Sequence, residues 1–209
     1  MLHPTLQLPP STCTNHHQQG ALGVGSHLVR LLHSAGAHVF FGDVLSEPGE
    51  ALASELSSTS SANNKVQFVH CDVTSYTDNL ALFKTAYKTC GRVDHAIANA
   101  GLGEQGAYFD PSLTLESVEE EPVKSLKVID VNLKGVLHFA RIASVYLRQP
   151  GLEGKSATAA ADKSLTLVSS VAGFREDPGL YVYIASKHGV LGLMRALRGW
   201  VVHSHKVIC

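Results

Sequence analysis

Residues 169–187, SSVAGFREDPGLYVYIASK, hold the side chains best suited to chemistry. Tyr183 and Lys187 are four residues apart, so on a helix they share one face. An ammonium beside a phenol favours the phenolate and lowers the tyrosine pKa from about 10. A phenol tuned in this way can pass a proton to or from an alcohol oxygen. Ser170, upstream, can hydrogen-bond the same oxygen. The combination suits interconversion of an alcohol and a ketone, with the hydride exchanged with a bound cofactor. A Tyr with Lys four residues on is common by chance, so its weight depends on the elements around it.

A second constellation lies near the N-terminus. Residues 20–25, GALGVG, open a helical pattern of Leu28, Val29, Leu31 and Leu32 that ends at Gly36. Residues 37–43, AHVFFGD, follow as a short buried strand ending in an acid. Gly20, Gly23, Val24 and Gly25 thus stand at a helix start, where glycines let backbone N–H groups approach a pyrophosphate. Asp43 lies at about the offset, some 20 residues on, of an acid that binds the adenosine ribose hydroxyls. Its charge would repel a 2′-phosphate, so NAD is the expected cofactor in preference to NADP. The competing reading is a glycine turn followed by an ordinary loop acid.

A sheet must position these groups. Residues 65–71, KVQFVHC, alternate as a strand and end at Asp72. Residues 92–98, RVDHAIA, form another, followed by Asn99, Ala100 and Gly101. Residues 164–169 are a further strand, and helices are expected at about 47–57, 76–90, 124–148 and 182–200. Repeated β-α alternation implies an α/β fold, a Rossmann-like doubly wound parallel sheet in three layers. Ligands of such sheets sit beyond the carboxyl ends of the strands. Asp43, Asp72 and Asn99 are at those ends, although each could also serve as a helix cap. Asn132 falls inside the long helix, where an asparagine is usually neutral to unfavourable, which hints at a use. The acidic run Glu119, Glu120 and Glu121 reads as a solvated face.

The chain of 209 residues fits one domain with a real core. A net charge of −1 argues against an electrostatic nucleic-acid binder. Cys13, Cys71, Cys90 and Cys209 form no CxxC, which suits reduced thiols in a cytosolic protein. No apolar run reaches membrane-spanning length, and the N-terminus lacks the basic-then-apolar pattern of a secretory signal. Cytoplasmic residence is the default expectation. His16 and His17 are adjacent and have no ligand-spaced partner, so no metal is expected.

Taken together, Gly23-Val24-Gly25, Asp43, Cys71-Asp72-Val73, Asn99-Ala100-Gly101, Val131-Asn132-Leu133, Val168-Ser169-Ser170 and Tyr183 with Lys187 resemble the classical short-chain dehydrogenase/reductase family. The match runs from about Gly20 to Gly199 and is similar to NAD-dependent alcohol-oxidising members such as those like 15-hydroxyprostaglandin dehydrogenase. The resemblance implies that Tyr183 is the acid/base and that Lys187 lowers its pKa and holds the nicotinamide ribose. It implies that Ser170 orients the substrate oxygen and that Asn132 supports a proton relay through water to Lys187. Tyr181, the rival phenol, has Ala185 at +4 and reads as pocket lining. Asp72 and Val73 would meet the adenine ring, Asn99, Ala100 and Gly101 the nicotinamide half, and Asp43 would select NAD. The implied partners are a secondary alcohol or ketone and further copies of the chain, packed through the long helices from Lys124 and Val182.

Departures from the family pattern set a second expectation. The family's Thr-Gly-x-x-x-Gly-x-Gly places Gln18 and Gln19 at its first two positions, and Gly20 comes one place late. The Pro4, Pro9 and Pro10 region replaces the apolar first strand, and Ala98 replaces the first asparagine of Asn-Asn-Ala-Gly. The chain stops at Cys209, before the family's last strands and substrate-covering segment. Residues 1–18 are therefore expected to be irregular, 19–200 to form the dinucleotide-binding and catalytic domain, and 201–209 to be a truncated tail. The sheet is expected to be incomplete, its first strand degenerate and its C-terminal strands missing, leaving the strand at 164–169 with an open edge. Two functions follow: an NAD(H)-dependent oxidoreductase, or a catalytically inactive family member that serves as a binding or interaction protein or is a non-functional fragment.

Overall fold

The computed structural model describes residues 13–17, 20–59, 64–149, 163–201 and 206–208. Six strands, β1 (Cys13–His17), β2 (His38–Asp43), β3 (Val66–His70), β4 (His95–Ala98), β5 (Ser164–Leu167) and β6 (Lys206–Ile208), form one sheet. All pairs are parallel, in the order β3-β2-β1-β4-β5-β6. This is the doubly wound Rossmann order, which reverses between β1 and β4 and opens a crevice there. The helices are α1 (Gly23–Ser34), α2 (Ser46–Thr59), α3 (Tyr76–Cys90), α4 (Val123–Ile129), α5 (Val136–Tyr146) and α6 (Tyr181–Val201).

Strand periodicity of two explains the three layers. Phe40 in β2 and Ala96 and Ala98 in β4 join Phe83 of α3, Phe139 of α5 and Val190 of α6 in one core. Their neighbours Val39, Phe41 and Ile97 join Val29 and Leu32 of α1 and Leu52 of α2 in the other. A sheet buried on both faces reads as continuous apolar strands, as AHVFFG does.

Two expectations about the ends of the sheet are corrected. The first strand is present: β1 pairs with β2 on one side and β4 on the other, with Asn15 opposite both Phe40 and Ala96. Its residues are too polar to announce a central strand. Two flanking ladders nevertheless offer partners to every backbone N–H and C=O of any proline-free segment of the right length. Pro4, Pro9 and Pro10, which argued against a strand, precede it and lie outside the described residues, as do Gln18, Gln19 and Cys209. At the other end, β6 pairs with β5, Leu165 facing Val207, so β5 has an outer neighbour instead of an open edge.

The single helix expected over 124–148 is also divided. A π-helical segment, Asp130–Gly135, separates α4 from α5. Such wide turns cluster at functional sites, and Asn132 lies within this one. Among the described residues, no helix is long and apolar enough to cross a membrane.

Candidate active site

Beyond the carboxyl ends of the strands lies a cleft of two compartments. The larger, about 480 Å³, is lined by Leu22 and Gly23 at the start of α1, Asp43 at the end of β2, Asp72 and Thr74 beyond β3, and Lys127 of α4. The smaller, about 300 Å³, is lined by Val24 of α1, Asn99, Gly103, Ser169, Tyr183 and Lys187. Gly101 and Leu102 border both. The beginning of α1 therefore stands between the compartments, and its first-turn N–H groups have no acceptor within the helix.

Asp43 is almost fully buried, and its carboxylate bridges two loops. Oδ2 accepts from the Ala21 N–H at 3.2 Å and Oδ1 from the Leu45 N–H at 3.1 Å. The acid therefore braces the turn into α1 as well as facing the cleft. Asp72 Oδ1 accepts from both the N–H and the hydroxyl of Thr74, each at 2.8 Å, which fixes the turn after β3. Val73 is fully buried, packs with Ala100 and Val131, and its carbonyl accepts from the Asn79 amide at 2.9 Å, so it supports the cleft from behind Asp72. Gly20 and Gly25 are buried behind the lining. Next to Asp72, burial pushes the Cys71 thiol up to about 12, so it is a structural thiol and not a nucleophile.

Tyr183 is half-buried in the first turn of α6, and Lys187 follows one turn later on the same face. The Lys187 ammonium is 5.6 Å from the Tyr183 ring centroid. It is 4% exposed and donates to the Val168 carbonyl at 3.1 Å. Ser169 lines the cleft, but its hydroxyl donates to the Lys187 carbonyl at 2.9 Å. Ser170 accepts from the Ala172 N–H at 3.2 Å and caps the short turn Val171–Gly173. That bond uses a lone pair of Ser170 and leaves its O–H proton to donate elsewhere.

Asn132 is fully buried, and its side chain clamps the loop after β4. Oδ1 accepts from the Leu102 N–H at 2.7 Å, while Nδ2 donates to the Leu102 carbonyl at 2.9 Å and to Ser186 Oγ at 3.1 Å. A Cβ on Gly101 would lie 3.4 Å from Lys187 Nζ and 3.5 Å from Asn132 Oδ1. The glycine keeps open a space at the point where the two compartments meet. Tyr181, by contrast, is 45% exposed and packs edge-on against Phe109 at 5.3 Å.

Sequence reasoning missed three contributors. Lys127 lines the larger compartment from a helix face that reads as solvated. Ser186 joins Asn132 only through the packing of α6 on the π segment. Glu104 accepts hydrogen bonds from the first turn of α6 across 78 residues of sequence, a contact with no local signature.

The family model for short chain dehydrogenase matches residues 19–207. The chain is 37% identical over 178 residues to the short-chain dehydrogenase/reductase ascJ of Acremonium egyptiacum, covering 85% of this chain and 54% of that protein. It is 34% identical over 189 residues to the 5′-hydroxyaverantin dehydrogenase of Dothistroma septosporum, covering 86% and 59%. The chain thus spans about half the length of these curated relatives. A short chain dehydrogenase/reductase from Burkholderia phymatum, solved in complex with NAD, superposes with a TM-score of 0.76 over 94% of this chain and 64% of that one, at 21% identity.

Proposed function

The chain belongs to the short-chain dehydrogenase family, and from that premise we propose that it moves a hydride between NAD(H) and a secondary alcohol or ketone. The observation that carries this reading is the two-compartment cleft, with an acid in one half, a phenol and an ammonium in the other, and the start of α1 between them. An extended dinucleotide fits that shape, and the space over Gly101 is one that a single Cβ would fill. The narrower likeness to 15-hydroxyprostaglandin dehydrogenase plays no part in this reading.

A dinucleotide held between Asp43 and Lys187 would supply a hydride acceptor for the carbinol carbon as NAD, and a hydride donor for a carbonyl carbon as NADH. Tyr183 takes the hydroxyl proton in oxidation and gives one to the carbonyl oxygen in reduction. Ser170 donates to the same oxygen and holds it toward Tyr183. Lys187 holds the nicotinamide ribose, while Asn99, Ala100 and Gly101 border that half. Asn132 has both amide protons engaged, so a water relay to Lys187 would use the remaining lone pair of Oδ1. Asp72 meets the adenine, with Val73 packed behind it. Asp43 accepts from the ribose hydroxyls and disfavours a 2′-phosphate, so NAD is preferred to NADP.

Nicotinamide fluorescence titrated with NADH and NADPH tests the cofactor reading. Saturable NADH binding is expected, with weaker NADPH binding. Asp43→Ala should remove most NADH affinity. Asp43→Asn, which keeps an acceptor for Ala21 or Leu45, should narrow the gap between the two cofactors. A folded sample that binds no NADH would sink the proposal; equal affinity for NADPH would sink the selectivity.

The chain also self-associates through α5 and α6 in this reading. Leu137 and Val145 on α5 are 44% and 45% exposed and flank exposed Arg141 on one stripe, a mixed apolar and charged face that a second copy could cover. Sedimentation velocity should show a dimer or tetramer, and a monomer at all concentrations would count against it.

A further inference from the structure

We infer that Glu104 is a positioning residue for Tyr183. Its carboxylate sets the start of α6, and with it the depth and rotation at which the phenol and Lys187 meet the cleft. This goes beyond the hydride-transfer reading and rests on it for its catalytic consequence.

The first turn of α6 needs acceptors. Its first helical bond runs from the Ile184 N–H to the Leu180 carbonyl, leaving the N–H groups before it without partners in the helix. Residue Leu180, which precedes the helix, has no polar side chain to cap them, and no acid occupies the first turn. Glu104 supplies both acceptors from outside. Oε1 accepts from the Val182 N–H at 3.2 Å and Oε2 from the Tyr183 N–H at 2.7 Å. The second bond is to the backbone of the proposed acid/base itself. A carboxylate at this end also complements the helix dipole, and charge-assisted bonds of this kind are the stronger class.

The carboxylate is held in place by fixed neighbours on both sides. Two residues before it, Leu102 is bound through its N–H and its carbonyl to Asn132. One residue after it, the Gln105 carbonyl accepts from Ser125 Oγ at 2.5 Å, and Ser125 is 3% exposed in α4. Gly106 then turns with φ of 72°, a conformation that favours glycine, and lies so close that a Cβ there would be 3.0 Å from Ser125 Oγ. Asn132 and Ser125 thereby fix the loop, the loop fixes Glu104, and Glu104 fixes Tyr183. The same loop borders the cleft at Leu102 and Gly103. Catalytic geometry is sensitive to displacements of an ångström, so a cap on this residue's own amide bears on rate.

The test compares Glu104→Ala and Glu104→Gln with the wild type. Gln keeps an oxygen for one of the two N–H groups. Amide hydrogen exchange in the peptide containing Val182–Ile184 should accelerate in the Ala variant and recover in part in the Gln variant. With cyclohexanol and benzhydrol as probe alcohols, kcat should fall about 10- to 100-fold in the Ala variant, while KM for NAD and the affinity for NADH stay near wild type. Gln should restore part of kcat. Unchanged exchange in the Ala variant overturns the cap. Faster exchange with kcat retained, or a loss confined to KM, overturns the positioning role. A wild type that binds no NADH and oxidises neither alcohol refutes the proposed function instead, and the exchange comparison then judges the cap alone.

Discussion

Tyr183→Phe should lower kcat by about 10²- to 10⁴-fold, the usual range for losing a positioned acid/base, and leave NADH affinity nearly unchanged. The substitution removes one oxygen from a half-buried ring and no backbone contact. The Tyr183 N–H keeps its bond to Glu104, and its carbonyl still accepts from the Ser186 hydroxyl at 2.6 Å. Lys187 keeps its bond to the Val168 carbonyl, so the half of the cleft that would hold the nicotinamide ribose is preserved. Phenylalanine also keeps the ring that lies 5.6 Å from the Lys187 ammonium. What disappears is the O–H, the only group of this side chain able to exchange a proton with substrate. Since each tenfold in rate corresponds to about 1.4 kcal/mol, the expected loss is about 3–5 kcal/mol of transition-state stabilisation. Turnover within a few-fold of wild type would refute the proton-transfer role, and lost NADH binding would assign Tyr183 to holding the cofactor instead.

The parts of this site that were legible in the sequence are those whose signal is local. Asp43 and Asp72 are marked by the ends of apolar runs, and the structure places both at the lip of the larger compartment. Tyr183 and Lys187 are marked by helical spacing, and both line the smaller compartment. The N-terminal strand was not legible. Its place depends on ladders from β2 and β4 rather than on its own polar residues. The same limit applies to Glu104, whose acceptor role exists only after the loop folds back on α6. Asn132 lies between these cases. Its awkward position inside a helix was visible, but the π segment that turns its amide onto Leu102 was not, because a single wide turn leaves the apolar spacing of its neighbours almost intact.

Asn132→Ala should cost roughly 2–4 kcal/mol of stability, because leaving a buried polar group without a partner costs about 1–3 kcal/mol. Two such groups, the N–H and the carbonyl of Leu102, lose their partner together. Water admitted from the adjoining cleft would offset part of the loss, which keeps the figure below the maximum for two orphaned groups. At about 2–4 °C per kcal/mol for a chain of this size, Tm should fall by about 5–15 °C. Ser186→Ala is the control. It removes the third contact of the Asn132 amide and the hydroxyl's own bond to the Tyr183 carbonyl but leaves both Leu102 bonds in place, so its cost should be about 1–2 kcal/mol, at roughly 1 kcal/mol or less for each of the two hydrogen bonds. The clamp also has a functional reach, because Leu102 and Gly101 border both compartments. The Asn132→Ala protein should therefore gain less in Tm from saturating NADH than the wild type does, since a loosened loop must be ordered on binding. Urea and thermal melts of the two variants, with and without NADH, separate these effects. If Asn132→Ala melts no lower than Ser186→Ala, the bonds to Leu102 contribute nothing, and the π segment owes its shape to packing alone.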